Sequence, residues 1–139
     1  MRHQRADRGA AMVEFALLLP VYLLLVFAIL EYGWLMLSQA SLGTAARDGC
    51  RQGAVVLPWV GSGSDGSIDT AQSVIDARLA ELGLSCAQTT CEVTVAIEGD
   101  RPDQALTCDI TRDYGPIIGL LPTPGQLTTT ASTWLEYQR

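Results

Sequence analysis

Residues 8–37 read RGAAMVEFALLLPVYLLLVFAILEYGWLML, and this stretch decides the fold of the chain. Its central part, residues 15–30, contains sixteen residues without a charge. A helix needs about twenty apolar residues to cross a bilayer, and extending the stretch to residues 10–37 adds only Glu14 and Glu31 as charged residues. The sequence therefore predicts a helix over residues 10–37 that spans a membrane once.

The flanks of this segment predict its orientation. Three arginines lie in residues 1–8, and the next arginine is Arg47. Cytoplasmic flanks of membrane helices are enriched in Arg and Lys, and aromatic rings such as those of Tyr32 and Trp34 prefer the headgroup level. We therefore expect the N-terminus in the cytoplasm, the remainder of the chain outside, and both aromatic residues at the outer boundary.

Two simpler interpretations of the segment explain less of it. A cleaved secretory signal has a small-residue cut site after its apolar core, whereas here Glu31-Tyr32-Gly33-Trp34 follows. A plain transmembrane anchor explains the length but not Glu14, because a charge near the start of a membrane helix is costly and usually functional. The alternative for Glu14 is a place at the membrane interface, where the helix dipole favours an anion.

The length of the chain leaves room for one modest domain beside the membrane segment. The chain has 139 residues, a mean hydropathy of +0.22 and a formal net charge of −6, from nine arginines and 15 acidic residues. Without residues 1–9, six arginines face 14 acidic residues, which is a net charge of −8. Such a surface repels phosphate groups, so we predict no nucleic-acid binding.

The sequence contains no recognisable catalytic set. Its single histidine is His3, which excludes Ser-His or Cys-His nucleophilic chemistry within the rest of the chain. We predict neither an enzyme nor a bound cofactor. Asp100, Asp103, Asp109 and Asp113 surround a predicted hairpin, and we interpret them as a solvated face. Calcium binding is the alternative, although the EF-hand spacing is absent.

Four cysteines follow the membrane segment: Cys50, Cys86, Cys91 and Cys108. An even number in a small domain outside the membrane predicts disulfides in an oxidising compartment, and the alternative is that some are small buried apolar residues. A zinc site is disfavoured because the Cys86-x4-Cys91 spacing lacks a second close pair. Four cysteines allow three pairings, of which we favour Cys86 with Cys91 and Cys50 with Cys108.

The membrane-spanning helix is predicted to continue as an amphipathic helix on the outer domain. Helical spacing of apolar residues persists to Ala54, which gives one helix of about 45 residues from Ala10, or roughly 68 Å at 1.5 Å per residue. Gly43, Gly49 and Gly53 interrupt this second half. Glycine either weakens a helix or permits close packing against it, and both alternatives stay open.

A second helix is predicted after a flexible loop at residues 61–67. Its first residue is expected to be Asp69 or Thr70, and Gly83 suits its C-terminal end. Apolar residues recur at helical spacing between these limits. They form a predicted buried stripe of Val74, Ile75, Leu79 and Leu82.

Alternating polarity predicts a small antiparallel sheet of three strands. The strands are expected at residues 91–97, around residues 106–110, and from residue 127 to about residue 137. Residues 116–124, rich in Pro and Gly, carry an apolar centre between the second and third strands. This segment is either a buried loop or a partner surface, and we favour the buried loop. The fold class is then α+β, with two helices and one sheet.

The start of the apolar segment resembles the prepilin-peptidase recognition site of type IV pilins and their relatives. In that pattern a glycine precedes the cut, and a glutamate followed by an aromatic residue stands fifth in the mature chain. Gly9, Glu14 and Phe15 occupy these positions. The resemblance implies cleavage between Gly9 and Ala10, and pairing of Glu14 with the N-terminal ammonium of a neighbouring subunit.

The longer run resembles the TadE family of minor pilins or pseudopilins from the Tad (tight adherence, Flp) pilus system. The similarity includes Leu19-Pro20, Glu31-Tyr32-Gly33 and Ala45-Ala46-Arg47, together with Trp134-Leu135-Glu136 near the C-terminus. In this family Pro20 is expected to kink the helix, because proline removes a backbone donor and clashes with the preceding turn.

The resemblance implies three regions and a place in the cell. Residues 1–9 are a cytoplasmic leader, residues 10–37 the membrane segment, and residues 38–139 an extracytoplasmic pilin-like domain. The expected location is the bacterial inner membrane with a periplasmic domain, or the pilus at the cell surface. The expected function is to initiate, prime or tip a Tad pilus.

The partners that this function implies are the prepilin peptidase, other Tad minor pilins and the major pilin, inner-membrane Tad assembly proteins and membrane lipid. Two alternatives share part of the pattern. One is an unprocessed single-pass anchor that displays a periplasmic binding domain. The other is a pseudopilin of a type II secretion system.

Overall fold

The computed structural model of the chain describes residues 3–56, 64–84, 86, 91–99, 104–119 and 121–135, with side chains from residue 11 onward in the first range and from residue 66 onward in the second. Within these ranges the predicted α+β fold is confirmed. The elements in chain order are α1 (His3–Val55), α2 (Ser64–Glu81), β1 (Cys91–Glu98), β2 (Ala105–Asp113) and β3 (Gln126–Trp134).

Helix α1 is one continuous helix of 53 residues. It begins seven residues before the predicted start at Ala10 and continues through Pro20, where one intrahelical hydrogen bond is lost because proline has no amide hydrogen. The chain divides into two compact units. The first consists of Met1–Leu35 with Pro116–Thr123, and the second of Met36–Gly115 with Pro124–Arg139.

The core of the second unit lies between the C-terminal half of α1, helix α2 and one face of the sheet. Each element contributes small or branched apolar side chains at its own period, which is about 3.6 residues in the helices and two in the strands. The fully buried members are Leu42, Ala46 and Cys50 on α1, Ala71, Ile75 and Leu79 on α2, and Leu106, Cys108 and Ile110 on β2.

Two glycines let α1 and α2 approach each other closely. A Cβ atom at Gly53 would lie 2.6 Å from the carbonyl oxygen of Ser67 and 2.8 Å from the Cβ of Ala71. A Cβ atom at Gly49 would overlap the Ile75 side chain and lie 2.9 Å from the carbonyl oxygen of Ala71. Close packing is therefore the reason for these two glycines.

Helix α2 begins at Ser64 and not at Asp69 or Thr70, so the prediction of a loop through residue 67 is wrong. Tertiary packing outweighs the local preference of Gly and Ser for loops, because Ser67 is buried beside Gly53 of α1. The helix ends at Glu81. Gly83, which was predicted to suit this end, lies in the turn that follows, and its positive φ of 68° permits the closing hydrogen bond from the Leu84 amide to the Leu79 carbonyl oxygen at 2.8 Å.

The predicted apolar stripe of α2 is correct at its centre and wrong at its end. Ile75 and Leu79 are fully buried, whereas Leu82 is 51% exposed, because it lies in the turn after the helix and not on its buried face. Leu84, two residues later, is buried instead. The Gly83 turn therefore directs the second of these leucines towards the core.

The three strands form one antiparallel sheet in the order β1-β2-β3. Val95 of β1 lies opposite Cys108 of β2, which in turn lies opposite Ala131 of β3. The central strand β2 has the most buried residues, as expected for a strand that is paired on both edges. Strand β3 ends at Trp134, earlier than predicted, and residues 136–139 lie outside the described part of the chain.

The structure pairs Cys50 with Cys108 and Cys86 with Cys91, which is the pairing that the sequence favours. The first disulfide joins α1 to β2 across 58 residues, and both of its cysteines are fully buried. The second closes a short segment of five residues between α2 and β1. The long-range disulfide therefore fixes the helix on the sheet.

Replacing both Cys50 and Cys108 by alanine is expected to lower the free energy of unfolding by about 4 kcal/mol, because the disulfide restricts a long loop in the unfolded chain. The Cys86–Cys91 disulfide closes a much shorter loop, so replacing both of these cysteines by alanine should lower the free energy of unfolding by about 2 kcal/mol. Denaturant unfolding of the two double variants measures both values. Equal losses would show that loop length does not determine the effect.

Candidate functional site

The first half of α1 presents an apolar surface that the described part of the chain leaves exposed. From Ala11 to Val55 the helix is long and apolar enough to cross a membrane, and none of its most apolar 18-residue window is buried. Leu17, for example, is 72% exposed. A core helix of a soluble protein would bury such residues, so this helix fits a single-pass membrane protein.

The predicted processing residues lie at the start of this apolar surface. Gly9 and Ala10 are both in α1, where the structure describes the backbone alone. Glu14 is exposed, and Phe15 beside it is 65% exposed. Residues 10 and 14 are one helical turn apart and therefore lie on the same face of the helix.

Glu31 is the second carboxylate of the apolar segment, and it has a different environment. Its side chain is 1% exposed and accepts two backbone hydrogen bonds, from the Ile117 amide at 3.0 Å and from the Ile118 amide at 2.8 Å. The neighbouring Tyr32 hydroxyl donates to the Pro122 carbonyl oxygen at 3.3 Å. These contacts bind the loop between β2 and β3 to α1 within the first unit.

The sequence interpretation missed this role of Glu31. Its only local signal is an isolated charge in an otherwise apolar stretch, and its partners lie 86 and 87 residues away in the chain. The same contacts correct the prediction that residues 116–124 form a buried loop. Ile117 is 60% exposed, because it contacts Glu31 through its backbone amide.

An apolar cavity of about 120 Å³ lies beside this loop. It opens onto the surface of the first unit, and Glu31 is the charged residue in its lining. Its other walls are aliphatic and aromatic side chains from α1 and the loop. The lining residues are Leu24, Phe27, Glu31, Ile118 and Leu121.

The candidate calcium ligands of the described residues are engaged within the sheet. The Asp109 carboxylate accepts a hydrogen bond from the Thr130 hydroxyl, and the Asp113 carboxylate accepts one from the Gln126 amide at 3.0 Å. Asp100 and Asp103 lie outside the described part of the chain. The two described aspartates therefore contribute to pairing of β2 with β3.

The features at the N-terminal end, an exposed apolar helix with a Gly-x4-Glu-Phe start, agree with the comparison with protein families. The family model described as TadE-like protein matches residues 9–51. Residues 9–51 form a TadE-like segment. The comparisons with curated proteins and with solved structures returned no match.

The TadE-like segment contains every residue of the predicted processing motif and the Glu31-Tyr32 pair that holds the loop. It ends in the middle of the core contacts, because it includes Gly49 and Cys50 but not Gly53. Trp134-Leu135-Glu136, which the resemblance also included, lies beyond the matched residues. The match covers 43 of the 139 residues, so the similarity to the TadE-like family is a property of the N-terminal apolar helix and not of the whole chain.

Proposed function

We propose that the chain is a minor pilin or pseudopilin of a Tad-type pilus, cleaved by the prepilin peptidase between Gly9 and Ala10. The observation that supports it best is the position of Gly9, Glu14 and Phe15. They stand at the start of an exposed apolar helix and inside the TadE-like segment. This combination is more specific than the short motif alone.

In this proposal the chain is held in the bacterial inner membrane by α1, with the second unit in the periplasm. Removal of residues 1–9 takes away three of the nine arginines and leaves a chain with a net charge of −8. The cytoplasmic charge that opposes movement across the membrane is therefore lost on cleavage. The processed subunit can then leave the bilayer for a filament.

The role that follows is one of assembly and not of catalysis. The processed chain initiates, primes or tips the filament, and its partners are other Tad minor pilins, the major pilin and inner-membrane assembly proteins. In such an assembly the exposed apolar side chains of α1 exchange contact with lipid for contact with neighbouring helices. That exchange keeps the helix covered in both states.

Gly9 suits the cleavage site for a conformational reason. The helix continues through residues 9 and 10, and a peptidase needs the backbone to open locally. Glycine lowers helix stability by about 1 kcal/mol relative to alanine, so this turn opens more readily than its alanine-rich neighbours.

Replacing Gly9 by leucine is expected to block processing, so the full-length chain should accumulate in the membrane of a host with an active prepilin peptidase. Intact mass and N-terminal sequencing of the membrane protein measure the loss of residues 1–9. Gly33→Ala is the matched control, because a Cβ atom there meets no other atom within 4 Å. It should be processed normally.

The same measurement separates the alternatives. An intact residue 1–9 leader in the unsubstituted chain would contradict the pilin proposal and favour an unprocessed anchor with a periplasmic binding domain. A pseudopilin of a type II secretion system would be processed at the same bond. Proteins co-purified with the mature chain distinguish that system from a Tad pilus.

A further inference from the structure

The loop between β2 and β3 carries an apolar surface that the proposed function does not use. Residues 114–125 contain no charged side chain. The base of the loop is closed by a hydrogen bond from the Tyr114 amide to the Gly125 carbonyl oxygen at 2.9 Å. At its apolar turn Ile117 and Ile118 are 60% and 36% exposed. This turn adds to the exposed apolar surface of α1 in the same unit, and large contiguous apolar surfaces mark sites of protein or membrane contact.

Helix α1 holds this turn in place through its backbone. The Glu31 carboxylate accepts the amides of Ile117 and Ile118, and the Tyr32 hydroxyl reaches the carbonyl oxygen of Pro122. These bonds leave the isoleucine side chains unpaired but satisfy amides that would otherwise need water. Irregular backbone is tolerated at membrane depth only when its polar groups are satisfied in this way.

The position of Glu31 along α1 locates the turn relative to a bilayer. Residues 11–30 are twenty residues, which as a helix span about 30 Å, the thickness of the hydrocarbon core. Glu31 is the next residue and therefore lies at the outer boundary of that core. Leu24 and Phe27, which line the cavity with Ile118 and Leu121, lie one to two turns deeper.

We propose that the loop residues 116–119 and 121–123 insert into the outer interfacial layer of the membrane as a second lipid contact. The Glu31 carboxylate caps two amides of this loop and thereby permits insertion. This inference rests on the proposed membrane insertion of α1. Acyl chains of the outer leaflet cover Ile117 and fill the cavity of about 120 Å³. The first unit then contacts the bilayer through both α1 and the loop.

Lipid is the occupant that the surface favours over a second copy of the chain. The apolar turn is continuous with the exposed side chains of α1, such as Leu24 at 60% exposure, which a bilayer surrounds in any case. Among the described residues of the first unit, the only charged side chains from residue 11 onward are Glu14 and Glu31. The turn itself carries no charge, so it has no charged group that would select a protein partner over lipid.

Depth-dependent fluorescence quenching tests the proposal on the full-length chain in phosphatidylcholine–phosphatidylglycerol vesicles. An environment-sensitive NBD label is attached to Ile117→Cys under non-reducing conditions that leave both disulfides intact. Leu17→Cys reports on the hydrocarbon core, and the exposed Ser132→Cys on β3 reports on water. Nitroxide lipids are the quenchers, with the nitroxide either near the headgroup or near the chain end.

We expect quenching at position 117 to be well above that at position 132, and to be strongest with the nitroxide near the headgroup. Quenching at position 17 with none at 117 would overturn loop insertion while leaving the anchor intact. No quenching at position 17 would remove the membrane anchor and the inference with it. Blue-shifted emission at 117 without lipid quenching would show that protein, such as a second copy of the chain, covers the turn. That result would overturn the lipid assignment.

Glu31→Leu tests the role of the carboxylate that caps the Ile117 and Ile118 amides. Leucine has a side chain of similar size but accepts no hydrogen bond. Quenching at position 117 should fall to the level of position 132, while quenching at position 17 stays unchanged. Glu92→Leu, an exposed carboxylate on β1, is the control and should have no effect at 117. Unchanged quenching at 117 in Glu31→Leu would overturn the cap.

Discussion

Replacement of Gly53 by alanine is expected to destabilise the second unit by up to about 2 kcal/mol, because overpacking a well-packed core costs about 1–3 kcal/mol and the better helix propensity of alanine offsets about 1 kcal/mol. The added Cβ atom would lie 2.6 Å from the Ser67 carbonyl oxygen and 2.8 Å from Leu106 Cδ2. A backbone oxygen cannot rotate away, so α2 has to move. This cost exceeds the gain in helix propensity, which is about 1 kcal/mol for Gly to Ala.

The matched control is Gly43→Ala on the same helix. Its Cβ atom would meet Thr129 Oγ1 at 3.7 Å, which is an ordinary contact. The propensity gain then remains, and this variant should be stabilised by up to about 1 kcal/mol. Guanidinium unfolding of the full-length chain in detergent measures both variants. A Gly53→Ala midpoint equal to or above that of the unsubstituted chain would contradict the close helix contact.

Much of the fold could be predicted because its signals are local. The charge-free run of residues 15–30, the alternation along residues 91–97 and the Gly83 turn each depend on neighbours within a few residues. The structure has an element or helix end at each of these places. A period of two or 3.6 residues reflects which face is buried, and a single sequence displays it directly.

The start of α2 could not be predicted because its cause is tertiary. Gly66 and Ser67 favour a loop in isolation, yet they lie in a helix whose buried face contacts Gly53. The glycines of α1 were equally ambiguous from sequence alone. Whether a helical glycine is a weakness or a contact depends on the element opposite it, and that element is distant in sequence.

The candidate site was predictable in one part and hidden in the other. Gly9, Glu14 and Phe15 form a short linear motif that a single sequence displays, and their role in processing stays a prediction. Glu31 acts through amides that lie 86 and 87 residues further along the chain. A lone glutamate near the end of an apolar helix is compatible with many positions, and only the fold shows which backbone amides it binds.

Replacement of Glu14 by alanine is expected to leave cleavage after Gly9 largely intact and to abolish most piliation. In the proposed filament each Glu14 carboxylate pairs with the Ala10 ammonium of a neighbouring subunit inside an apolar core. Removing one partner of a buried charge pair costs about 3–5 kcal/mol, since the other charge stays buried without compensation. That corresponds to a loss of roughly two to four orders of magnitude in the association constant.

The size of the effect distinguishes this role from the simpler one. If Glu14 only complemented the helix dipole at the membrane interface, its removal would cost about 0.3–1 kcal/mol and piliation would fall slightly. Filament counts by electron microscopy, with the mass of the membrane-bound subunit as the processing control, measure the two steps separately.

Two further variants separate charge from shape at this position. Glu14→Gln keeps the size of the side chain and loses its charge, so it should fail like alanine. Glu14→Asp keeps the charge one methylene shorter and should restore part of the filament count. Normal piliation in Glu14→Ala would contradict the pairing, and with it the reason for an exposed carboxylate on an otherwise apolar helix surface.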